Sequence, residues 1–506
     1  MADSLIVKYV YCLLSILQAW YRHSAFARIV DSLGKKLDML LKSSSIVDLV
    51  SREGIFPRMW RSSKFYMLTN KVLNLPSQAL RRIYSERKQI FEHSLFFKAV
   101  DVLLKRYHLL LAFCILIVIV FPDNRWYNIF ATILALGLLV LFFIKTVTYE
   151  GYGFKIKNFD IYLILFIISV FLAEIFSLFP IESLRFLVFY INCFLLLLLL
   201  VSAIKTQEEL SQVVTMLLAG ITLTGLYGIW QKIVGVPVNL SQIDISLNEG
   251  MGGRIYSTMG NPNNYAEVLV LFLPFYAAMV LNSKTFLKKL LFIAMAIPPL
   301  ASLMLTLSRS SWIGFAVALL VFTFLWNKKL LPVIVIAGVF CIPFLPLSIY
   351  RRILTIFNPN DSSASYRVRI YRTVWPMLKE YWYSGVGLGS DAFMNVVKKY
   401  HLYTGAVPPH SHNLLLQIWL EIGLIGVLSF IGYLIRLFKS SIKAIKSKRD
   451  PKAVNIVIAG ISAIIGVMVI SLAEYIWFYH RVMVLFWVVA GMLIAAIRLA
   501  KKESYD

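Results

Sequence analysis

His410, Ser411, His412 and Asn413, in the run V-P-P-H-S-H-N-L, stand where two prolines stop one conformation and a long apolar segment begins. Pro408 and Pro409 bar a helix before them, and Asn413 or Ser411 can cap the helix that follows, so the histidines sit at a helix mouth. A neutral imidazole there can take a proton from a hydroxyl near neutral pH. Arginines supply the complementary chemistry. Arg254 follows two glycines in E-G-M-G-G-R-I-Y-S-T-M-G-N-P, just ahead of Asn261 and Pro262, which read as the cap and first position of the next helix. Free N–H groups and the positive dipole end of that helix make an anion seat beside Arg254. Arg309, in T-L-S-R-S-S-W, falls at the start of another apolar segment, with Ser310 or Ser311 expected as its cap. A guanidinium fork suits a phosphate, and two forks suit a pyrophosphate. A histidine base with two arginines therefore has the parts for attack by an alcohol on a carbon whose leaving group is a phosphate ester. No D-x-D pair of carboxylates appears in the loops assigned below to the outer face, so the reading is metal-free, with arginines stabilising the leaving charge.

Plainer readings stand beside these. His412 could be a capping or interfacial histidine, and Arg254 and Arg309 could be snorkelling anchors. His410 reads either as a direct participant or as a stabiliser of its loop. The pair His410-x-His412 could begin a metal site, but no cysteine or nearby carboxylate in the sequence completes it. Arg367 and Arg369, in S-Y-R-V-R-I-Y-R, either line a glycan or phosphate path or belong to a solvated amphipathic helix. Gly385, Gly387 and Gly389 mimic a nucleotide loop but lack the strand, helix and lysine of one, so they are expected to form turns. Asn413, Gln417 and Glu421 recur every four residues and so form a polar stripe on an otherwise apolar helix. That stripe serves either helix packing or the orientation of the histidine loop. Gly423 and Gly426 add a small-residue face for a neighbouring helix. Glu174 and Arg185 are as suited to pair with each other as to touch a substrate.

The elements that must position these residues follow from composition. Of 506 residues, 59% are hydrophobic, which indicates an all-α polytopic membrane protein. The formal net charge of +25 falls in short basic runs between apolar stretches, as in cytoplasmic loops, and argues against nucleic-acid binding. Cys12, Cys114, Cys193 and Cys341 show no pairing pattern. Apolar runs of spanning length are expected at 107–121, 127–145, 159–179, 183–204, 210–230, 264–281, 288–307, 311–326, 330–349, 413–438, 454–473 and 480–499, twelve in all. Lys155 and Lys157, Lys205, Lys284 to Lys289, Lys328 and Lys329, Lys439 to Arg449, and Lys501 and Lys502 mark alternate connections as cytoplasmic. Both termini then face the cytoplasm. The long connections 231–263 and 350–412 face outward, which puts Arg254, Arg309, His410 and His412 on one face although they lie up to 158 residues apart in the sequence (412 − 254). Residues 1–106 are basic and partly amphipathic, in patches such as 29–41 and 79–105. The apolar opening from Leu5 to Tyr21 lacks the flanks of a cleaved signal. This extension is expected on the cytoplasmic side against the anionic leaflet, a spanning first helix being the alternative.

The string H-N-L-L-L-Q-I-W-L-E-I-G-L-I-G, from His412 to Gly426, resembles the H-[NSQ]-x9-G-x-x-[GTY] signature of the O-antigen ligase superfamily at every fixed place. R-I-Y-S-T-M-G-N-P-N-N-Y-A, L-S-R-S-S-W-I-G-F and G-V-G-L-G-S are similar to its other blocks, in order, so the resemblance covers residues 107–500 and leaves 1–106 without a counterpart. It implies a GT-C-like membrane glycosyltransferase with a partly helical outer loop before the tenth span. The donor would be a glycan on undecaprenyl pyrophosphate and the acceptor a lipid or glycan hydroxyl, with transfer inverting, without cofactor, at the outer face of the cytoplasmic membrane. Carried over by motif, His412 would be the general base and Arg254 and Arg309 would hold the pyrophosphate. Ligases and polysaccharide polymerases share these blocks. A lipid-linked glycan transporter is the reading from another class, and it would show two similar halves, which this sequence does not.

Overall fold

A computed structural model of the chain describes residues 62–154, 159–237, 253–344, 346–354, 362–400 and 407–502, with a few isolated positions before residue 61. Most of the amphipathic patch 29–41, the opening segment, Lys155, Lys157 and parts of both long outer connections lie outside the described residues. Among the described residues every regular element is helical. In chain order these are α1 (Lys64–Glu86), α2 (Lys88–His93), α3 (Leu95–Lys105), α4 (Tyr107–Val120), α5 (Ile129–Thr148), α6 (Ile161–Ile175), α7 (Pro180–Ala203), α8 (Gln207–Val234) and α9 (Pro262–Asn282). There follow α10 (Phe286–Leu305), α11 (Arg309–Asn327), α12 (Leu331–Cys341), α13 (Leu347–Leu354), α14 (Ser362–Tyr381), α15 (Gly389–Val397), α16 (Leu414–Ser447), α17 (Pro451–Ile470) and α18 (His480–Lys501).

Nine helical stretches among the described residues are long and apolar enough to cross a membrane, or ten if the bent pair α3 and α4 counts as one. That is below the twelve expected, for three physical reasons. The first expected span, α4, reaches spanning length only together with α3, from which it departs by 78°. The third is α6, whose 15 residues rise about 22 Å against a hydrocarbon core of about 30 Å. The eighth and ninth are counted as one 33-residue stretch from Arg309 to Cys341. The chain turns back within it at Asn327, whose φ −156° and ψ 94° end α11 about 28 Å from its start, so that Arg352 Nε can donate to the Leu307 carbonyl at 3.3 Å.

The core of the bundle is α17 and α18, packed on α7, α9, α11 and α16, and α18 is buried along nearly its whole length. A ring cluster of Phe166, Phe430, Trp477, Phe486 and Trp487 fills the space between α6, α16 and α18. A smaller apolar cluster seats α14 and α15 beside the start of α16 through Ile370, Val374, Met377, Phe393 and Leu420.

α16 is not the uninterrupted helix its sequence suggests. Gly423 takes φ +83° and ψ −174°, breaking it into an outer nine-residue piece and a long inner piece. The break frees the Leu420 and Glu421 carbonyls, which accept from the Val386 and Gly387 amides at 2.9 and 3.1 Å. Gly385, Gly387 and Gly389, all at positive φ, give that segment the turns it needs. Gly423 thus meets the backbone at Tyr383 rather than a helix, and of the two expected packing glycines only Gly426 faces another helix, at Ser169 of α6.

Candidate functional site

At one end of the bundle, loops 253–261, 306–308, 407–413 and 471–479 converge with α13 and α14. Asn413 is the cap of α16, its Oδ1 accepting from Leu416 N at 3.0 Å. Its Nδ2 donates to the Leu472 carbonyl, and Leu414 N donates to the Ser471 carbonyl, so the histidine loop is fastened to the α17–α18 connection. The polar stripe completes the fastening. Ser411 N donates to Gln417 Oε1 at 2.7 Å, Gln417 Nε2 donates to Glu421 Oε1 at 2.8 Å, and Tyr475 Oη donates to the same oxygen at 3.2 Å. Of its two sequence readings, the stripe serves the loop.

His412 sits at φ +52°, a left-handed backbone that costs an L-residue about 1 to 2 kcal/mol and is held only where the surroundings fix it. Here its amide donates to His410 Nδ1 at 3.2 Å and its own Nδ1 lies 3.2 Å from Glu474 Oε2. The other carboxylate oxygen of Glu474 accepts from Arg367 at 2.6 Å, and Arg367 Nε also donates to the Ala473 carbonyl at 2.8 Å. Burial by itself would raise the Glu474 carboxyl. The His412 hydrogen bond, the Arg367 guanidinium and the two imidazoles outweigh it and hold the group below its ordinary range. An ionised carboxylate only accepts, so the Glu474 contact places the His412 hydrogen on Nδ1 and leaves Nε2 with its lone pair.

His410 stands against His412, ring centroids 4.2 Å apart, and against Phe478 at 4.6 Å. Burial, and then the neighbouring His412, depress it from 6.5 to about 3, so it stays neutral, with Nδ1 accepting. Its geometry is that of a loop brace.

The arginines come from other loops and helix ends. Arg254 donates through Nε to the Thr306 carbonyl at 2.8 Å and through a terminal nitrogen to Asn263 Oδ1 at 2.6 Å, in the first turn of α9. Asn261 caps α9 and Pro262 opens it, as the sequence reads. Burial, then repulsion from Arg352 and Arg309, lower Arg254 to about 9, while Glu474 acts in the opposite direction. Arg254, Arg309, Arg352 and Glu474 thus share one electrostatic neighbourhood. Arg309 is the first residue of α11, but its cap is Ser308, without a side-chain cap bond, rather than Ser310 or Ser311. Arg369 is exposed, its guanidinium 6.0 Å from the centroid of the Tyr366 ring, which itself lies 5.8 Å from the His412 ring.

Two participants were missed in the sequence. Glu474 is the nearby carboxylate that linear proximity to His410 and His412 did not offer. Its signal was a lone acid in S-L-A-E-Y-I-W, between two apolar spans at the end where the histidines lie. Arg352 is the second, placed by its hydrogen bond to the Leu307 carbonyl and its charge beside Arg254. Among the described residues no group of three or more His, Cys, Asp or Glu is arranged to hold a metal ion.

Fold and site together define a polytopic all-α membrane protein with a carboxylate-oriented histidine and a group of arginines in the same electrostatic neighbourhood. Residues 290–431 match the family model described as O-Antigen ligase, which supports membership of the O-antigen ligase superfamily. The match supports a membrane enzyme of the O-antigen ligase or polymerase type, of the glycosyl-transferring kind. The matched segment holds Arg309, Arg352, Arg367, His410 and His412, while Arg254 and Glu474 lie outside it. Comparison with curated proteins gave no match.

Proposed function

We propose that the protein transfers a glycan from an undecaprenyl-pyrophosphate carrier to a hydroxyl of a lipid or glycan acceptor, at the outer face of the cytoplasmic membrane. The observation that carries this reading is the Glu474 carboxylate shared by His412 Nδ1 and Arg367, within electrostatic range of Arg254. His412 Nε2 takes the acceptor's proton as the oxygen attacks the anomeric carbon. The bond from that carbon to the diphosphate oxygen breaks from the opposite side, so the centre inverts and the carrier leaves as its diphosphate. Glu474 stabilises the imidazolium as it forms, which then returns its proton to water. Arg254, Arg309 and Arg352 balance the charge that gathers on the departing diphosphate, the place a metal ion takes in other glycosyl transfers. Arg367 reaches the site through Glu474 and is a positioning residue, and the exposed Arg369 serves the glycan path.

Ligase and polymerase differ here only in the acceptor, a lipid core or the end of another glycan, and the ligase version is favoured by the histidine motif. The test uses the full chain in proteoliposomes with an undecaprenyl-diphosphate oligosaccharide and each acceptor in turn. The reading expects release of undecaprenyl diphosphate coupled to an inverted glycosidic bond, and loss of both in His412→Ala. Transfer by His412→Ala at near wild-type rate would overturn the mechanism. Translocation of the intact lipid without bond cleavage would replace it by a transporter.

A further inference from the structure

At the end of the bundle away from His412, α1 to α3 project a surface that the site does not use. The chain bends by 78° between α3 and α4, and α4 is packed into the bundle against α8, so α3 runs across the end of α4, a 14-residue apolar helix of the bundle, close to the membrane plane. The elbow is fixed rather than loose. Lys145 Nζ donates to the Leu104 carbonyl at 2.8 Å, Tyr149 Oη donates to Asp101, and His108 Nε2 meets Gln212 Oε1 at 2.7 Å. α1 is fastened to the same end of α5: Asn74 exchanges hydrogen bonds with the backbone of Phe154 at 2.9 and 3.0 Å, and Arg81 donates to the Thr146 carbonyl at 2.8 Å.

On these anchored helices the large apolar side chains point outward. Along α3, Leu95, Phe96, Val102 and Leu103 are 82%, 79%, 65% and 46% exposed, and their spacing puts them in one stripe about 120° wide. Along α1, Phe65, Leu68, Val72, Leu75 and Ile83 form a second exposed stripe at helical spacing. Water alone would leave both faces unsatisfied, and such patches mark contact with a partner or a membrane. Charge selects between these. Residues 62–106 contain nine Lys and Arg against three acids, a net +6, and each of the three acids is paired within its helix, Glu86 with Arg82, Glu92 with Lys88 and Asp101 with Lys105.

We infer that residues 64–106 are an in-plane membrane anchor, whose apolar stripes enter the headgroup boundary of a leaflet rich in anionic lipid while the lysines and arginines contact its headgroups. An amphipathic helix with a basic polar side and a fixed 78° turn into an apolar bundle helix is built for that boundary. The anchor sits at the basic end of the bundle and does not depend on what the histidine site transfers.

Its test is site-directed spin labelling of the full chain with Cys12, Cys114, Cys193 and Cys341 replaced, reconstituted in phosphatidylcholine vesicles with and without phosphatidylglycerol. Nitroxides at Phe96→Cys and Leu103→Cys are expected to be accessible to oxygen and shielded from a water-soluble nickel chelate. A nitroxide at Glu92→Cys should show the reverse. Adding phosphatidylglycerol should deepen Phe96 and Leu103 measurably, and Lys98→Gln combined with Arg106→Gln should weaken that response. Equal exposure of Phe96 and Glu92 to the chelate would overturn the anchor. Shielding of Phe96 from both oxygen and chelate would also overturn it, because that is the signature of a protein partner or a second copy. Retained transfer activity in each labelled variant shows that the chain is folded.

Discussion

Both ends of the helix bundle satisfy backbone carbonyls with cations, but among the described residues only the histidine end adds a buried carboxylate shared by an arginine and an imidazole. At the basic end, cations satisfy backbone carbonyls at helix termini: Lys145 bonds the Leu104 carbonyl, Arg498 those of Val201 and Ile204, and Arg449 that of Lys501. Such pairs lie along the helix dipole and close helix ends. At the histidine end, a buried carboxylate is held between an arginine and an imidazole, and three arginines crowd together. The backbone differs too. Five non-glycine residues among those described have positive φ; Lys448 and Lys502 are ordinary helix C-caps at the basic end, whereas Ser257, Leu307 and His412 lie in the site loops. Strain and crowded charge gather where the proposed chemistry would use them, and the basic end shows ordinary helix caps.

This contrast can be broken or sharpened by substitution. His412→Ala should cost the most, on the order of a thousandfold in the rate of glycan transfer, since it removes the base outright. Glu474→Gln should follow, at roughly a hundredfold in kcat with KM little changed. An unchanged kcat would make Glu474 merely structural. Arg309→Lys should lower kcat/KM about tenfold, because an ammonium cannot span two phosphate oxygens as a fork does; a wild-type value there would reduce Arg309 to an anchor.

The fourth effect concerns pH and stability. His410 is held neutral in the folded chain, so below its ordinary 6.5 the unfolded chain gains a proton that the folded chain refuses. Its contribution is complete above pH 6.5 and is lost progressively as pH falls towards about 3. Thermal unfolding in detergent should show His410→Gln losing less Tm than wild type between pH 6.5 and 4. Smallest of all, Asn74→Ala at the basic end should lower Tm by a few degrees, from the loss of two hydrogen bonds of about 1 kcal/mol each, and leave transfer within twofold. If Asn74→Ala impaired transfer as severely as Glu474→Gln, the division between the two ends would fail.

Legibility in the sequence followed the range of the interaction. Asn413 as cap, Asn261 with Pro262 at the start of α9 and the turn glycines 385 to 389 were readable because each obeys a rule acting within four residues. The polar stripe was readable as a stripe, but its purpose needed Ser411 N and Tyr475, which come from its two ends and a different loop. The break at Gly423 was hidden, since glycine within an apolar run also suits close helix packing, and only the Tyr383 to Gly387 backbone lying against it reveals which applies. The span count came out high because hydropathy measures apolar length and cannot distinguish a full crossing from the short α6.

By itself the sequence determined an all-α membrane protein, basic loops at alternate turns and a histidine loop at a helix mouth, because solvent preference and local capping act on neighbours along the chain. Tertiary structure alone decided that Glu474, 62 residues beyond His412, is what orients it, that Arg367 holds the other carboxylate oxygen and that Arg254, Arg309 and Arg352 gather nearby. Electrostatic partners are chosen by distance through space, and a buried charge takes whichever donor the fold brings to it.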